Sequence, residues 1–141
     1  MSTAPAYSNP GSGPRISLPD WPADRPLRQW QIEALAALEG HAGPNFLASA
    51  TPAAGKTTFG LRVAHRMLSE GRVSRVVVVG PTTHICRQWA HDAARYGIDL
   101  EPNRPNADGP ETDDFHGVAV TYQTVAAGPA LHAASSRRPT L

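Results

Sequence analysis

The 141-residue sequence has one cysteine, one lysine and few aromatic residues. The single cysteine, Cys86, excludes an internal disulfide, fits a reducing compartment and is expected to be a small buried helix residue. Charged residues make up 18% of the chain and the formal net charge is +1, so composition alone does not point to a nucleic-acid partner. No apolar run approaches the roughly 20 residues of a membrane helix, and the N-terminus shows no signal-peptide pattern. We therefore expect a cytoplasmic protein with no membrane partner.

The lone lysine, Lys56, lies in residues 50–57 (ATPAAGKT), which end in the glycine–lysine–threonine of a nucleotide phosphate loop. All the other basic residues are arginines. A compact ammonium can bridge β- and γ-phosphate oxygens, whereas the broad, flat guanidinium fits such a loop poorly. The alternative is an ordinary glycine-containing turn, but such a turn would not require Lys56 and Thr57 together.

The chain alternates between predicted helices and strands. Residues 1–26, rich in Pro, Ser, Gly and Ala, form a predicted flexible leader, and residues 27–141 form one predicted domain. The patterns predict helices at 27–38, 57–68 and 84–96, a helix at 126–135 interrupted by Gly128-Pro129, strands at 45–50, 75–80 and 117–125, and a surface loop at 101–114. This alternation predicts an α/β fold with a parallel sheet flanked by helices and joined by right-handed crossovers.

The surroundings of Lys56 fit a phosphate loop, because a predicted buried strand precedes it and a predicted helix follows it. The first amides of a helix lack intrahelical partners, so they stabilise an anion. We expect Lys56 to contact the β- and γ-phosphates of ATP and the Thr57 hydroxyl to bind Mg²⁺, which makes these two residues the catalytic candidates. The predicted nucleotide-binding residues of the loop are Thr51, Ala53, Ala54, Gly55, Lys56, Thr57 and Thr58.

Two alanines depart from the usual phosphate-loop pattern. Ala50 replaces the first glycine, and Ala53 stands where many related loops carry glycine. If residue 53 needs a positive φ, an alanine there costs about 1 kcal/mol of strain. The sequence therefore predicts a strained loop whose strain the fold can tolerate.

Residues 27–35 (LRQWQIEAL) resemble the Arg-x-x-Gln-x-x-Ala element of superfamily 2 helicases, in the DEAD/DEAH-type and type III restriction-like branch. In that family the glutamine contacts the adenine edge, so the resemblance implies this role for Gln31 and places Arg28 near the nucleotide. A glutamine amide offers adenine both a donor and an acceptor. Taken alone, Gln31 is better explained as a polar residue of an amphipathic helix. Its place 25 residues before Lys56 favours the role seen in the family.

Two later segments resemble nucleic-acid-contacting elements of the same family. Residues 79–89 look like motif Ia, in which a Pro-Thr turn and the following helix start contact the nucleic-acid backbone, and residues 118–124 (VAVTYQT) look like the next such element. The resemblance therefore implies nucleic-acid contacts by Thr82, Thr83, Arg87, Thr121 and Gln123. Simple helix capping by threonine and an ordinary polar strand end are the open alternatives.

The resemblance implies a partial RecA-like P-loop NTPase domain from an ATP-dependent helicase or translocase. Such a protein uses ATP and Mg²⁺, acts on nucleic acid, and carries a second RecA-like domain downstream. The motif forms lean toward the restriction and repair branch, so by analogy DNA is favoured over RNA as the partner. The family's acidic motif is missing after the last predicted strand, since Asp113 and Asp114 precede that strand. We therefore expect a fragment that is inactive in ATP hydrolysis by itself. The alternatives are another phosphate-loop enzyme, such as a small kinase, and a non-catalytic nucleotide- or nucleic-acid-binding module.

Overall fold

Three parallel strands form the sheet of the computed structural model, which describes residues 17–108, 114–135 and 138–141. The strands are β1 (Val76–Gly80), β2 (Leu100–Pro102) and β3 (Gly117–Thr121). Their order is β1-β3-β2, so β3 lies in the middle, with Val78 of β1 and Pro102 of β2 both opposite Ala119. The predicted α/β fold with a parallel sheet is confirmed, and it corresponds to part of a RecA-like domain.

Helices precede and follow these strands. In the part of the chain that the structure describes they are α1 (Gln29–Glu39), α2 (Lys56–Ser69), α3 (Thr83–Ala94), α4 (Tyr122–Ala127) and α5 (Pro129–Ser135), with a short 3₁₀ turn at Asn106–Asp108. The first three helices lie within two residues of their predicted bounds. Thr82 caps α3, because its Oγ1 accepts a hydrogen bond from the amide of Ile85 over 3.2 Å.

In the part of the chain that the structure describes, two apolar clusters fill the interior, and α2 contributes to both. The first joins α2 to α3 and the sheet through buried residues that include Leu61, Val76 and Ala93. The second joins α2 to α1 through Leu35, Phe59 and Val63. Because one helix packs in both clusters, the loop that precedes α2 is fixed relative to α1 as well as to the sheet.

Residues 17–26 contain no helix or strand, but they pack against the first cluster through Leu18 and Trp21. The Trp21 ring stacks on Tyr96, with ring centroids 4.0 Å apart and planes 1° from parallel. Nε2 of His65 lies 2.7 Å from the carbonyl oxygen of Pro19. The packed region therefore begins before residue 27. The rest of the predicted leader, residues 1–16, lies outside the described residues.

The prediction of a buried strand at residues 45–50 is wrong. These residues form no strand, and the side chain of Leu47 is 91% exposed, although Phe46 and Ala48 pack against the second cluster. A strand needs a neighbouring backbone to complete its ladder of hydrogen bonds. Among the described residues, β1 has β3 on one edge and residues 139–141 on the other, so neither edge of β1 pairs with residues 45–50.

Two further boundaries differ from the prediction. The predicted surface loop at 101–114 begins instead with β2, which pairs with β3, while residues 109–113 lie outside the described part. Strand β3 ends at Thr121 instead of residue 125, because the Thr121 Oγ1 accepts a hydrogen bond from the amide of Thr124 over 3.2 Å and starts α4. Gln123 is therefore a helix residue. The break predicted at Gly128-Pro129 does separate α4 from α5.

The last described residues run beside β1. Thr140 forms a parallel bridge with Arg75, and the amide of Val77 donates to the carbonyl oxygen of Leu141 over 2.8 Å. The amide of Leu141 donates in turn to the carbonyl oxygen of Arg75 over 3.0 Å. Among the described residues, no helix has both the length and the apolar character needed to cross a membrane.

Candidate phosphate-binding site

The start of α2 leaves several amides without backbone partners. Gly55 precedes the helix with φ 90° and has no side chain to cap it, and the first bond of the helix runs from the amide of Phe59 to the carbonyl oxygen of Gly55 over 3.0 Å. The amides of Lys56, Thr57 and Thr58 therefore precede the first helical hydrogen bond. The first turn carries no acidic residue. Such a helix start attracts an anion by its amides and by the helix dipole.

The structure places two predicted catalytic candidates at this helix start. Lys56 is the first residue of α2 and is exposed, and within the described part of the chain it makes no ion pair. The Thr57 side chain follows it and is half-buried. An ammonium group beside free amides forms a site for a multiply charged anion, because each group stabilises negative charge from a different direction.

Ala53 lies in the left-handed region, with φ 60°. An alanine in this positive-φ conformation has a conformational free energy about 1 kcal/mol higher than an unstrained residue, as the sequence predicted for residue 53. Two residues further on, Gly55 also has positive φ, but there the missing side chain removes the cost. The loop is thus held in a shape that its own backbone preferences do not favour at residue 53.

The predicted loop residues Thr51 and Ala54 form a turn. The amide of Ala54 donates to the carbonyl oxygen of Thr51 over 3.2 Å. This amide is therefore used within the loop in the structure. The amides after it, beginning with Gly55, are the ones left to meet a ligand.

Three side chains from the start of α1 contact the same loop. Arg28 donates through Nη1 to the carbonyl oxygen of Ala53 over 3.1 Å, and Trp30 donates through Nε1 to that of Ala54 over 2.8 Å. Gln31 donates through Nε2 to the carbonyl oxygen of Gly55 over 2.9 Å. The resemblance to the helicase element predicts Arg28 and Gln31 as site residues but does not predict Trp30. No motif in the sequence marks Trp30, because its contact with the loop joins residues 24 positions apart.

Gln31 has both polar atoms of its amide bonded to backbone. Besides the bond to Gly55, its Oε1 accepts a hydrogen bond from the amide of Arg28 over 2.8 Å, and the residue is 2% exposed. The adenine contact expected for Gln31 requires a donor and an acceptor facing the base. That role stays a prediction, whereas the contact with the loop is observed.

The nucleic-acid candidates gather at one edge of the sheet. Thr82 lies two residues after the end of β1 and Thr121 is the last residue of the neighbouring parallel strand β3, and each caps the next helix. Thr83 and Arg87 on α3 and Gln123 on α4 have exposed side chains. The structure thus brings the two predicted contact elements to one side of the molecule, where open parallel sheets bind ligands.

Among the described residues, the histidine, cysteine and acidic side chains form no metal site. No group of three or more His, Cys, Asp or Glu residues that could hold a metal ion occurs in the ranges that the structure describes. Cys86 is fully buried in α3, as expected from the sequence, and this burial raises the pKa of its thiol. A thiol in such surroundings is a packing group and not a nucleophile.

The sequence is similar to a known family and to several curated proteins. Residues 24–129 match the family described as type III restriction enzyme, res subunit. Uncharacterized proteins of two Mycobacterium tuberculosis strains are 47% identical over 107 residues, which cover 76% of this chain and 18% of theirs. An uncharacterized protein of Mycobacterium leprae is 42% identical over 118 residues, which cover 84% of this chain and 20% of its own. The chain spans about a fifth of the length of these relatives.

Proposed function

Because the chain belongs to the family of the type III restriction enzyme res subunit, with the N-terminal ATP-binding domain of superfamily 2 helicases, we propose that it binds the triphosphate of ATP at residues 50–57. The longer protein of which such a domain is part would use ATP to move along or unwind nucleic acid. The cytoplasmic location inferred from the sequence also stays a prediction.

One observation carries this proposal. Within residues 17–108, 114–135 and 138–141, Lys56 has no ion pair, and it extends from a helix start whose first amides precede any helical hydrogen bond and whose first turn has no acidic residue. A buried or paired lysine would serve the fold, but an exposed and unpaired lysine at this position is available for an anion. The same arrangement favours an anion site over an ordinary turn that leads into a helix.

Four residues at the end of the loop and the start of α2 have a defined task in this proposal. The amides of Gly55, Lys56, Thr57 and Thr58 donate to phosphate oxygens, and the ammonium of Lys56 neutralises charge on the β- and γ-phosphates. The Thr57 hydroxyl fits Mg²⁺ that arrives with the nucleotide, since hydroxyl and phosphate oxygens are the hard ligands this ion prefers. Mg²⁺, when bound, would draw charge away from the phosphates.

Hydrolysis is not proposed for this chain alone. In the superfamily the attacking water is positioned by an acidic motif that follows a later strand, and no acidic residue follows β3 in this sequence. The domain as it stands would therefore bind nucleotide without turnover. Mg²⁺-dependent ATP hydrolysis by this chain, lost in Lys56→Ala, would overturn this part of the proposal.

The nucleic acid is proposed to bind at the sheet edge formed by the starts of α3 and α4. Thr82, Thr83 and Arg87 would contact backbone phosphates from α3, and Thr121 and Gln123 would do so from the end of β3 and the start of α4. DNA is proposed over RNA by analogy with the restriction branch of the family. The fold alone does not carry this choice.

Titration calorimetry with Mg²⁺ and ATP tests the nucleotide site. Replacing Lys56 by alanine should weaken binding at least tenfold, because hydrogen bonds to charged groups contribute about 1.5–3 kcal/mol. Arg72→Ala is the matched control, since it removes one positive charge from an exposed side chain that pairs with Glu39 and Glu70. Equal affinities of the wild type and Lys56→Ala would contradict the proposal.

A further inference from the structure

The start of α1 presents three donors to three consecutive carbonyl oxygens of the phosphate loop. Arg28, Trp30 and Gln31 donate, in sequence order, to the carbonyl oxygens of Ala53, Ala54 and Gly55 over 3.1, 2.8 and 2.9 Å. We call these three bonds the carbonyl clamp. A run of successive main-chain acceptors, each held by a different side chain, fixes the orientation of each peptide plane in the run.

The orientation of those planes sets the direction of the amides. In a trans peptide the carbonyl oxygen and the following N–H point to opposite sides, and no described peptide bond is cis. With the carbonyl oxygens of Ala54 and Gly55 turned toward α1, the amides of Gly55 and Lys56 point away from it. These are the first amides that the proposed phosphate site uses. The carbonyl clamp therefore sets the direction of the Gly55 and Lys56 amides without contacting them.

The side chains of Gln31 and Trp30, which donate in the clamp, are themselves held by contacts with neighbouring residues. Gln31 is 2% exposed, and its Oε1 accepts from the amide of Arg28, so its side chain is fixed to the start of its own helix. The Trp30 ring lies against Phe59 of α2, with ring centroids 5.5 Å apart and a 47° angle between the planes. Phe59 follows the loop by one helical turn. Trp30 therefore contacts the phosphate loop at Ala54 and the first turn of α2 at Phe59.

The loop needs such support because its conformation is strained. Ala53 has φ 60°, in the region that an alanine adopts at a cost. Without the clamp, the loop would relax toward conformations in which its amides diverge. Ligand binding would then have to reorder the backbone, and a binding site that is ordered in advance binds more tightly for this reason.

We propose that Trp30, with Arg28 and Gln31, is a positioning residue that presets the phosphate loop for a triphosphate and acts without contacting the base. This inference rests on the proposed function, since it assumes that the loop binds phosphate. It predicts a result that base recognition does not predict. Loss of a clamp donor must lower the affinity for every ligand that carries the triphosphate, with or without a base, by the same factor.

Trp30→Phe is the sharpest variant, because it removes the indole N–H and keeps an aromatic ring against Phe59. Its affinities for Mg²⁺-tripolyphosphate, ATP and GTP, measured by titration calorimetry, should each fall about fivefold, the equivalent of one net hydrogen bond. The ratio of ATP to GTP affinity should stay unchanged. Trp21→Phe is the matched control: it also removes an indole hydrogen bond to a carbonyl, that of Arg25 at 3.5 Å, at a site that packs on the first cluster.

Three outcomes would overturn the inference. Trp30→Phe could bind tripolyphosphate as tightly as Trp21→Phe does, which would make Trp30 a packing residue only. It could change the ATP-to-GTP ratio while tripolyphosphate binding is kept, which would make α1 a reader of the base. It could also lower the melting temperature while the folded fraction keeps wild-type affinity, which would be a purely structural effect.

A second variant keeps the test open if Trp30→Phe does not fold. Arg28→Met removes the donor to Ala53 but keeps the aliphatic stem at an exposed position, so the fold should tolerate it. The affinities of this variant for tripolyphosphate and for ATP should fall by one common factor, and unchanged binding of both would count against the clamp. Failure of the proposed function has a different signature, namely that the wild type and Lys56→Ala bind tripolyphosphate equally.

Discussion

Gly117 of β3 lies directly opposite Val76 of β1, and the two backbones approach so closely that a Cβ at residue 117 would overlap the carbonyl oxygen of Val76. The amide of Val76 donates to the neighbouring His116 carbonyl oxygen over 2.9 Å, so the strands cannot separate here without losing a bond of the ladder. The register of the parallel sheet thus depends on the absence of a side chain at residue 117.

Gly117→Ala should lower the free energy of unfolding by about 3 kcal/mol or more, because the obstructing atom belongs to the backbone and not to a flexible side chain. Gly71→Ala is the contrast: no atom lies within 4 Å of the added Cβ, and only its φ of +70° opposes the substitution. That variant should lose about 1 kcal/mol. Urea unfolding of both variants measures the difference, and equal losses would mean that the close approach of the strands is not decisive.

Ala53→Gly should keep or raise stability, by up to about 1 kcal/mol, because glycine relieves the strain of positive φ while adding entropy to the unfolded chain. Ala54 follows it but is not among the described residues with positive φ. Ala54→Gly should therefore lose about 0.5–1 kcal/mol. Thermal unfolding of the pair checks this, and a glycine at residue 53 that destabilises as much as one at residue 54 would argue against the left-handed conformation.

Leu47→Ala should change the free energy of unfolding by no more than about 0.5 kcal/mol, because a side chain that is 91% exposed loses little packing. The same substitution at Leu61, which is 1% exposed in the first cluster, should cost about 2–5 kcal/mol. Denaturant titrations compare the two. A loss at Leu47 close to that at Leu61 would restore the buried strand that the sequence predicted for residues 45–50.

Arg87→Gln should weaken single-stranded DNA binding and reduce the slope of log affinity against log salt concentration by about 1, if Arg87 contacts one phosphate. Arg66→Gln is the charge-matched control, since Arg66 is paired with Glu70 at 3.0 Å on α2. Fluorescence anisotropy across a salt series measures both variants. Identical slopes for the two would remove Arg87 from the proposed interface, and an RNA oligonucleotide of the same sequence tests the preference for DNA.

The residue pattern was sufficient to predict β1 and α2. The β-branched run that begins near Val76 and the apolar face of α2 mark a strand and a helix by their order alone, and both elements lie close to their predicted bounds, although Val79 of β1 is exposed. Thr82 was predictable as a possible cap because a threonine before a helix satisfies a free amide. These features depend on local chemistry, which the sequence contains.

Features that depend on a distant partner were not predictable. Phe46, Leu47 and Ala48 are apolar enough for a strand, but strand formation depends on whether another backbone lies beside them. Strand β2 was not predicted, because its residues lie at the start of a proline-rich segment that is typical of a loop. They form a strand because the edge of β3 lies beside them. In the candidate site, the motif predicted Lys56 and Thr57, whereas the contact of Trp30 with Ala54 joins residues 24 positions apart and has no sequence signature.

The stack of Trp21 on Tyr96 gives the protein an optical probe of its own. Two aromatic rings held 4.0 Å apart and nearly parallel couple their electronic transitions, so the coupled part of their near-ultraviolet circular dichroism is lost when they separate. Arg62 lies over the Trp21 ring, 5.2 Å from its centroid, and adds a charge to which indole emission responds. Release of residues 17–26 from the domain would therefore be visible as a spectral change, without any label and separately from global unfolding.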